Sequence, residues 1–118
     1  MKVLIVDDNA AMRRLIRRLA LSPVANCFEC ADGAAALDAY EQHQLGSADW
    51  VVMDVEMAGM NGLKATQRLR ANHPEARVVI VTRHDDDELR NAAFRHGAYG
   101  FVPKENILAL RTLLNAAA

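Results

Sequence analysis

Five polar side chains sit where hydrophobic runs stop. Val3-Leu4-Ile5-Val6 ends in Asp7-Asp8, Val51-Val52-Met53 in Asp54, and Val78-Val79-Ile80-Val81 in Thr82, while Phe101-Val102-Pro103 is followed by Lys104. Short apolar or β-branched runs of this kind read as buried strands. In an open parallel sheet the strands all end on one edge, and ligands bind there. Three carboxylates, a hydroxyl and an ammonium therefore converge from four strands. Clustered carboxylates repel one another unless something compensates. A divalent cation does so, and hard oxygen donors suit Mg2+, which takes few protein carboxylates and keeps several waters. A metal, an ammonium, a hydroxyl and an available carboxylate oxygen are the parts of a phosphoryl-transfer site with a carboxylate as nucleophile. Acids also follow strands simply as loop starters and helix caps. That reading suffices for Asp7 alone, but not for the whole set on one edge.

What must position these groups is an alternation of two periodicities. Strand-like runs at residues 2–6, 49–53 and 77–81 are strong, and those at 27–31 and 99–102 are weaker. Between them lie helical patterns. Met12, Leu15, Ile16 and Leu19 follow the i, i+3, i+4, i+7 spacing of an amphipathic helix. Residues 34–43, 63–71 and 107–116 continue the series, and 88–96 is stopped by Gly97. Five βα units in succession predict an α/β fold, a doubly wound five-stranded parallel sheet in a three-layer α/β/α arrangement.

The chain has 118 residues, which fits one domain over 1–118 with no linker. The Ala116-Ala117-Ala118 end fits a natural tail and the cut edge of a longer protein equally. Fourteen Lys and Arg stand against fifteen Asp and Glu, a net charge of −1. That balance excludes a polybasic nucleic-acid arm and a disordered acidic tail. A chain of this length buries enough surface to need no disulfide or metal staple. The longest apolar runs are about four residues, far short of the roughly 20 that span a membrane. The N-terminal run is too short for a signal peptide and meets two aspartates, so a cytoplasmic location is expected. Two cysteines suit a reducing compartment. Cys27 and Cys30 form C-x-x-C, but the flanking Val24 and Phe28 suggest a strand. Residues three apart on a strand face opposite ways, which favours buried thiols over a redox pair or half a zinc site.

In combination, VLIVDDN, D-V-E-M-A-G-M-N-G around Asp54, V-T-R-H-D-D after the fourth strand and G-A-Y-G-F-V-P-K near the end resemble the receiver domain of two-component response regulators. The resemblance runs over essentially the whole chain. It implies a flavodoxin-like sheet of order 2-1-3-4-5. It implies that Asp54 accepts phosphate from the phosphohistidine of a sensor histidine kinase or a histidine phosphotransfer protein. Asp8 is then the direct Mg2+ ligand, Asp7 the acid that reaches the metal largely through water, and the Glu56 carbonyl the third protein ligand. Thr82 and Lys104 hold the phosphoryl oxygens, and Phe101 is the aromatic switch that turns inward as Thr82 moves. The output surface is helix four, strand five and helix five. Catalysis is confined to gaining and losing phosphate, so the chain is a signalling domain rather than an enzyme. Any output domain or effector lies on another chain or beyond residue 118, and this domain itself binds no nucleic acid.

Three departures stand out. Ala58 replaces the usual Pro after Met57, which removes a fixed φ and predicts a more mobile loop. Arg83 replaces the usual small residue after Thr82. Pro103 precedes Lys104 and Glu105 follows it, so no Lys-Pro cis bond is available. A Lys followed by an acid is similar to members with a helix-turn-helix output domain.

Other features have bland readings beside sharper ones. Arg13, Arg14, Arg17 and Arg18 cover one helix face, either simply solvated or, as the resemblance implies, docking to an acidic kinase or phosphotransfer surface. Asp85, Asp86, Asp87 and Glu88 suit a helix N-terminus, one of them as cap. Ile107, Leu110 and Leu114 form the last helix's stripe. The flanking Leu108 and Leu113 fit either core packing or contact with a second copy or an output domain. His43, His73, His84 and His96 are scattered and make no ligand set. Trp50 lies roughly 13 Å before Asp54 at about 3.3 Å per residue, too far to report metal binding. Two rival functions remain. One is a phosphohydrolase with Asp54 as nucleophile and Glu56 as general acid, against which the absence of a cap domain counts. The other is an unphosphorylated interaction module, against which the intact polar set counts.

Overall fold

The computed structural model describes residues 1–20, 26–57 and 60–116. Expectations resting on Val24 and on the Ala58 loop lie outside the described residues. Strands and helices alternate as β1 (Lys2–Val6), α1 (Ala10–Ala20), β2 (Asn26–Cys30), α2 (Ala36–Gln42), β3 (Trp50–Asp54), α3 (Gly62–Asn72), β4 (Val78–Thr82), α4 (Asp87–Arg95), β5 (Gly100–Pro103) and α5 (Ile107–Ala116). A 3-10 turn at Lys104–Asn106 joins the last two. The sheet is wholly parallel in the order β2-β1-β3-β4-β5, as expected.

The strand pattern explains the layering. β3 and β4 are buried at every position, and β1 at all but Lys2. Side chains alternate across the sheet, so a continuous apolar run supplies two cores. Leu4, Val6, Val51, Met53, Val78 and Ile80 meet α2, α3 and α4 on one face. Val3, Ile5, Val52, Val79 and Val81 meet α1 and α5 on the other, with Ile16, Ala20, Leu110 and Leu114. Edge strand β2 is only half covered, which is why its hydrophobic signal is weak. Cys27 packs against the α1/α5 core and Cys30 against the other. Both thiols are free, and burial pushes that of Cys30 up to about 11. The divergence expected for residues three apart on a strand is what the fold delivers.

Short polar side chains start the helices. Asn61 caps α3 by accepting from the Lys64 N–H, and Asp86 caps α4 by accepting from the Leu89 N–H at 2.7 Å. Asn9 accepts from the Met12 N–H in the first turn of α1. Asp32 accepts from the Ala35 N–H, and the resulting turn delays α2 until Ala36, two residues later than the alanine-rich pattern suggests. Gly97 ends α4 with φ +99°, where the Arg70 side chain passes 3.2 Å from the position a Cβ would take. Among the described residues, no helix is long and apolar enough to cross a membrane.

Candidate functional site

The C-terminal ends of β1, β3, β4 and β5 bring the expected side chains to one edge. Register does much of this. Asp54 pairs with Val81, and Thr82 pairs with Pro103, so Lys104 follows immediately beyond the level of Thr82. The Lys104 Nζ lies 3.1 Å from Asp7 Oδ2 and 3.2 Å from Asp54 Oδ1. One carboxylate oxygen each from Asp7, Asp8 and Asp54 falls within 4.8 Å of the others. Asp7 and Asp54 are buried at 1% and 5% exposure, whereas Asp8 faces solvent. Thr82 is fully buried, and its Oγ1 accepts from the His84 N–H at 3.2 Å.

Burial raises the Asp54 carboxyl above its ordinary range, and the neighbouring Asp7 charge adds to this. The Lys104 ammonium and the Glu56 backbone N–H oppose the rise. Asp7 is fixed more firmly. Its Oδ1 accepts from the Asn9 N–H at 2.9 Å, and its carbonyl accepts from Arg13 Nη1 at 2.7 Å. Its Oδ2 is buried and has no hydrogen-bond donor; Lys104 stands at ion-pair distance but outside hydrogen-bond alignment. A buried carboxylate oxygen without a hydrogen-bond donor depends on a cation, and here the Lys104 ammonium is the one that meets it. That oxygen, beside the solvent-facing Asp8 and the carboxylate of Asp54, makes a hard-oxygen donor set that fits Mg2+.

The close packing of Gly62 on Asp54 was not legible as part of the site. Gly62 opens α3 against the backbone of Asp54, and a Cβ there would fall 1.9 Å from the Asp54 carbonyl oxygen. Its N–H donates to the Val55 carbonyl at 3.0 Å. Only glycine permits so close an approach, and the Asn61-Gly62 pair was the available signal. The half-exposed Glu56 carboxylate contacts His84 Nε2. Arg83 is exposed, with no ion-pair partner among the described residues. Phe101 is buried at 7% exposure, so its ring already points inward in this structure.

The arginine face of α1 divides. Arg13 and Arg17 reach Glu29 on β2 at 2.8 and 2.6 Å, and Arg13 also supports Asp7. Arg14 and Arg18 remain exposed. On α5, Leu110 and Leu114 are buried while Leu108 is 60% exposed. Trp50 is buried at the far end of β3, edge-on to Tyr99 with ring centroids 5.0 Å apart.

Comparison with known proteins agrees with this geometry. Residues 3–117 match the family described as the response regulator receiver domain. The transcriptional regulatory protein DegU of Brevibacillus brevis is 32% identical over 88% of this chain and 44% of its own length. The DNA-binding transcriptional regulator NtrC of Escherichia coli K12 is 29% identical over 86% of this chain, which spans only 21% of that relative. A two-component response regulator of the LuxR family from Aurantimonas sp. SI85-9A1 superposes with a TM-score of 0.83 at 30% identity, covering 98% of this chain and 85% of that one. The chemotaxis protein CheY4 of Vibrio cholerae, at 22% identity and a TM-score of 0.86 over 99% of this chain and 98% of its own, shares the fold. The chain belongs to the response regulator receiver domain family of two-component systems.

Proposed function

We propose that residues 1–118 form one phosphoacceptor unit in which Asp54 receives phosphate from the phosphohistidine of a sensor histidine kinase or histidine phosphotransfer protein. The observation that carries this is the Lys104 ammonium between two buried carboxylates, 3.1 and 3.2 Å from Asp7 and Asp54. An oxygen of Asp54 attacks phosphorus, the phosphorus–nitrogen bond of the donor breaks, and the imidazole leaves with a proton. Lys104 moves from the carboxylates toward the phosphoryl oxygens, and the Thr82 hydroxyl donates to another. Asp7 and Asp8, with Asp54 and the Glu56 carbonyl, would hold Mg2+, which when bound neutralises charge on the transferring group. Water later attacks the acyl phosphate and releases Asp54, so the catalysis is limited to gain and loss of one phosphoryl group.

The added dianion draws Lys104 and Thr82 inward, and α4, β5 and α5, with Phe101 at their centre, form the responding surface. The names of NtrC and DegU describe transcriptional regulators far longer than this chain. An output domain, an effector or a second copy would read that surface, and no residue here is assigned to nucleic acid. Two free thiols and a kinase donor fit a cytoplasmic setting. A phosphohydrolase is disfavoured because the Glu56 carboxylate, its general acid, contacts His84 at the surface. The test compares turnover with stoichiometry. With Mg2+ and acetyl phosphate, the protein should gain one phosphoryl group per chain and show no sustained hydrolysis of p-nitrophenyl phosphate. Many turnovers of that ester would favour the hydrolase instead.

A further inference from the structure

We propose that Arg90 is a positioning residue that holds the Phe101 ring buried and ties that burial to the loop following Thr82. The Arg90 guanidinium carbon lies over the Phe101 ring, 4.9 Å from its centroid. That is within the range of a cation–π contact with the electron-rich face. The same guanidinium reaches back to Asp85, its Nη2 3.8 Å from Oδ1. Asp85 stands three residues after Thr82, ahead of the Asp86 cap of α4. Phe101 pairs with Ile80 across the β4–β5 ladder and packs in the core shared with Ala93. One side chain on α4 therefore touches the aromatic of β5 and the loop leaving β4, the two elements that carry Thr82 and Lys104.

The consequence is directional. The cation lies over one face of the ring on the α4 side, so removing it favours an outward rotamer. Displacement of the loop at Asp85 would shift the guanidinium and loosen or tighten the same contact. The link to phosphorylation rests on the receiver reading above, whereas the hold on Phe101 does not. A contact of this exposure supports a change of about two- to five-fold in the buried-to-exposed ratio of the ring.

The experiment uses the full chain labelled with carbon-13 in its phenylalanine rings. Its three ring signals are assigned with Phe28→Leu and Phe94→Leu, and exposure is read from broadening by a soluble paramagnetic agent. Without metal, Arg90→Gln should expose the Phe101 ring by that factor and leave Phe28 and Phe94 unchanged. Arg90→Lys, which keeps a cation, should restore part of the burial. A Phe101 signal unchanged in Arg90→Gln overturns the proposal, even if the variant is less stable. So does an equal change in all three rings, which would mean general loosening. A second arm adds Mg2+ and beryllium fluoride, a phosphoryl analogue. If no wild-type signal responds, the receiver reading fails while the first arm still decides the role of Arg90. If the wild type responds, the Phe101 ring of Arg90→Gln should fail to follow and stay exposed. A ring that returns to its buried position without Arg90 overturns the tie to the loop.

Discussion

Lys104 is the point at which stability and function are most closely joined. Its side chain is 13% exposed and lies between carboxylates that are almost fully buried. Lys104→Met keeps the length and apolar stem of the side chain but removes the charge. Two buried carboxylates then face each other with no cation between them. Breaking a buried pair by deleting one partner costs about 3–5 kcal/mol. Protonation of one carboxylate relieves part of this, leaving an expected loss of ~2–4 kcal/mol in metal-free buffer at neutral pH. With a urea dependence of about 2 kcal/mol per molar, the midpoint should fall by roughly 1–2 M. Trp50, buried beside Tyr99, reports the unfolding by its fluorescence. The pH dependence has a definite sign. Asp54 is already held above its ordinary range, and Lys104 opposes that rise. Without Lys104 the native variant binds a proton more readily than the unfolded chain, so its stability recovers as pH falls through the raised value. The deficit should shrink as the pH is lowered from neutral. Mg2+ should narrow it too, because binding to the native state adds about 2.7 kcal/mol at a hundred times the dissociation constant and is tighter in the more acidic variant. A variant as stable as wild type without metal, or a deficit that neither acid nor Mg2+ reduces, would refute the reasoning.

Three further outcomes follow from the geometry. Gly62→Ala must push α3 away from the Asp54 carbonyl, so it should cost ~1–3 kcal/mol in unfolding free energy and slow acetyl phosphate-driven modification ~10–100-fold; a wild-type rate would show that the contact does not position Asp54. Arg14→Glu with Arg18→Glu should slow transfer from a partner kinase but not from acetyl phosphate, since these two arginines are exposed while Arg13 and Arg17 are held by Glu29; equal slowing with both donors would count against docking. Trp50 fluorescence should stay constant in a Mg2+ titration that shifts the NMR signals of residues 7, 8 and 54, and a quench in step with those shifts would show that the far end of β3 senses the site.

The strand ends, and with them the polar set, could be read from residue types because apolar runs in a parallel sheet must stop at a common edge. The same runs gave the two-core layering, since Val51-Val52-Met53 has to bury both faces. Contacts between distant elements were not legible. The Asn61-Gly62 pair marks a turn without saying that Gly62 abuts the Asp54 carbonyl, and nothing local says that Glu56 turns to His84 or that Arg90 covers Phe101. The α1 arginines show the same limit: helical spacing put four on one face, but only the position of Glu29 on edge strand β2 separates the two that are engaged from the two that are exposed. The inward ring of Phe101 is a rotamer, which periodicity does not encode. The start of α2 was misplaced by two residues because the Asp32 turn competes with the helix propensity of the alanines that follow it.

The central claim is that Asp54 itself accepts the phosphoryl group. Location of the adduct tests it most directly. After incubation with Mg2+ and acetyl phosphate, borohydride reduces an aspartyl phosphate to homoserine, and peptide mass spectrometry then finds the altered residue. Homoserine at position 54, dependent on Mg2+ and lost in Asp54→Asn, is the expected result. An adduct on another residue, or one that persists in Asp54→Asn, would contradict the account.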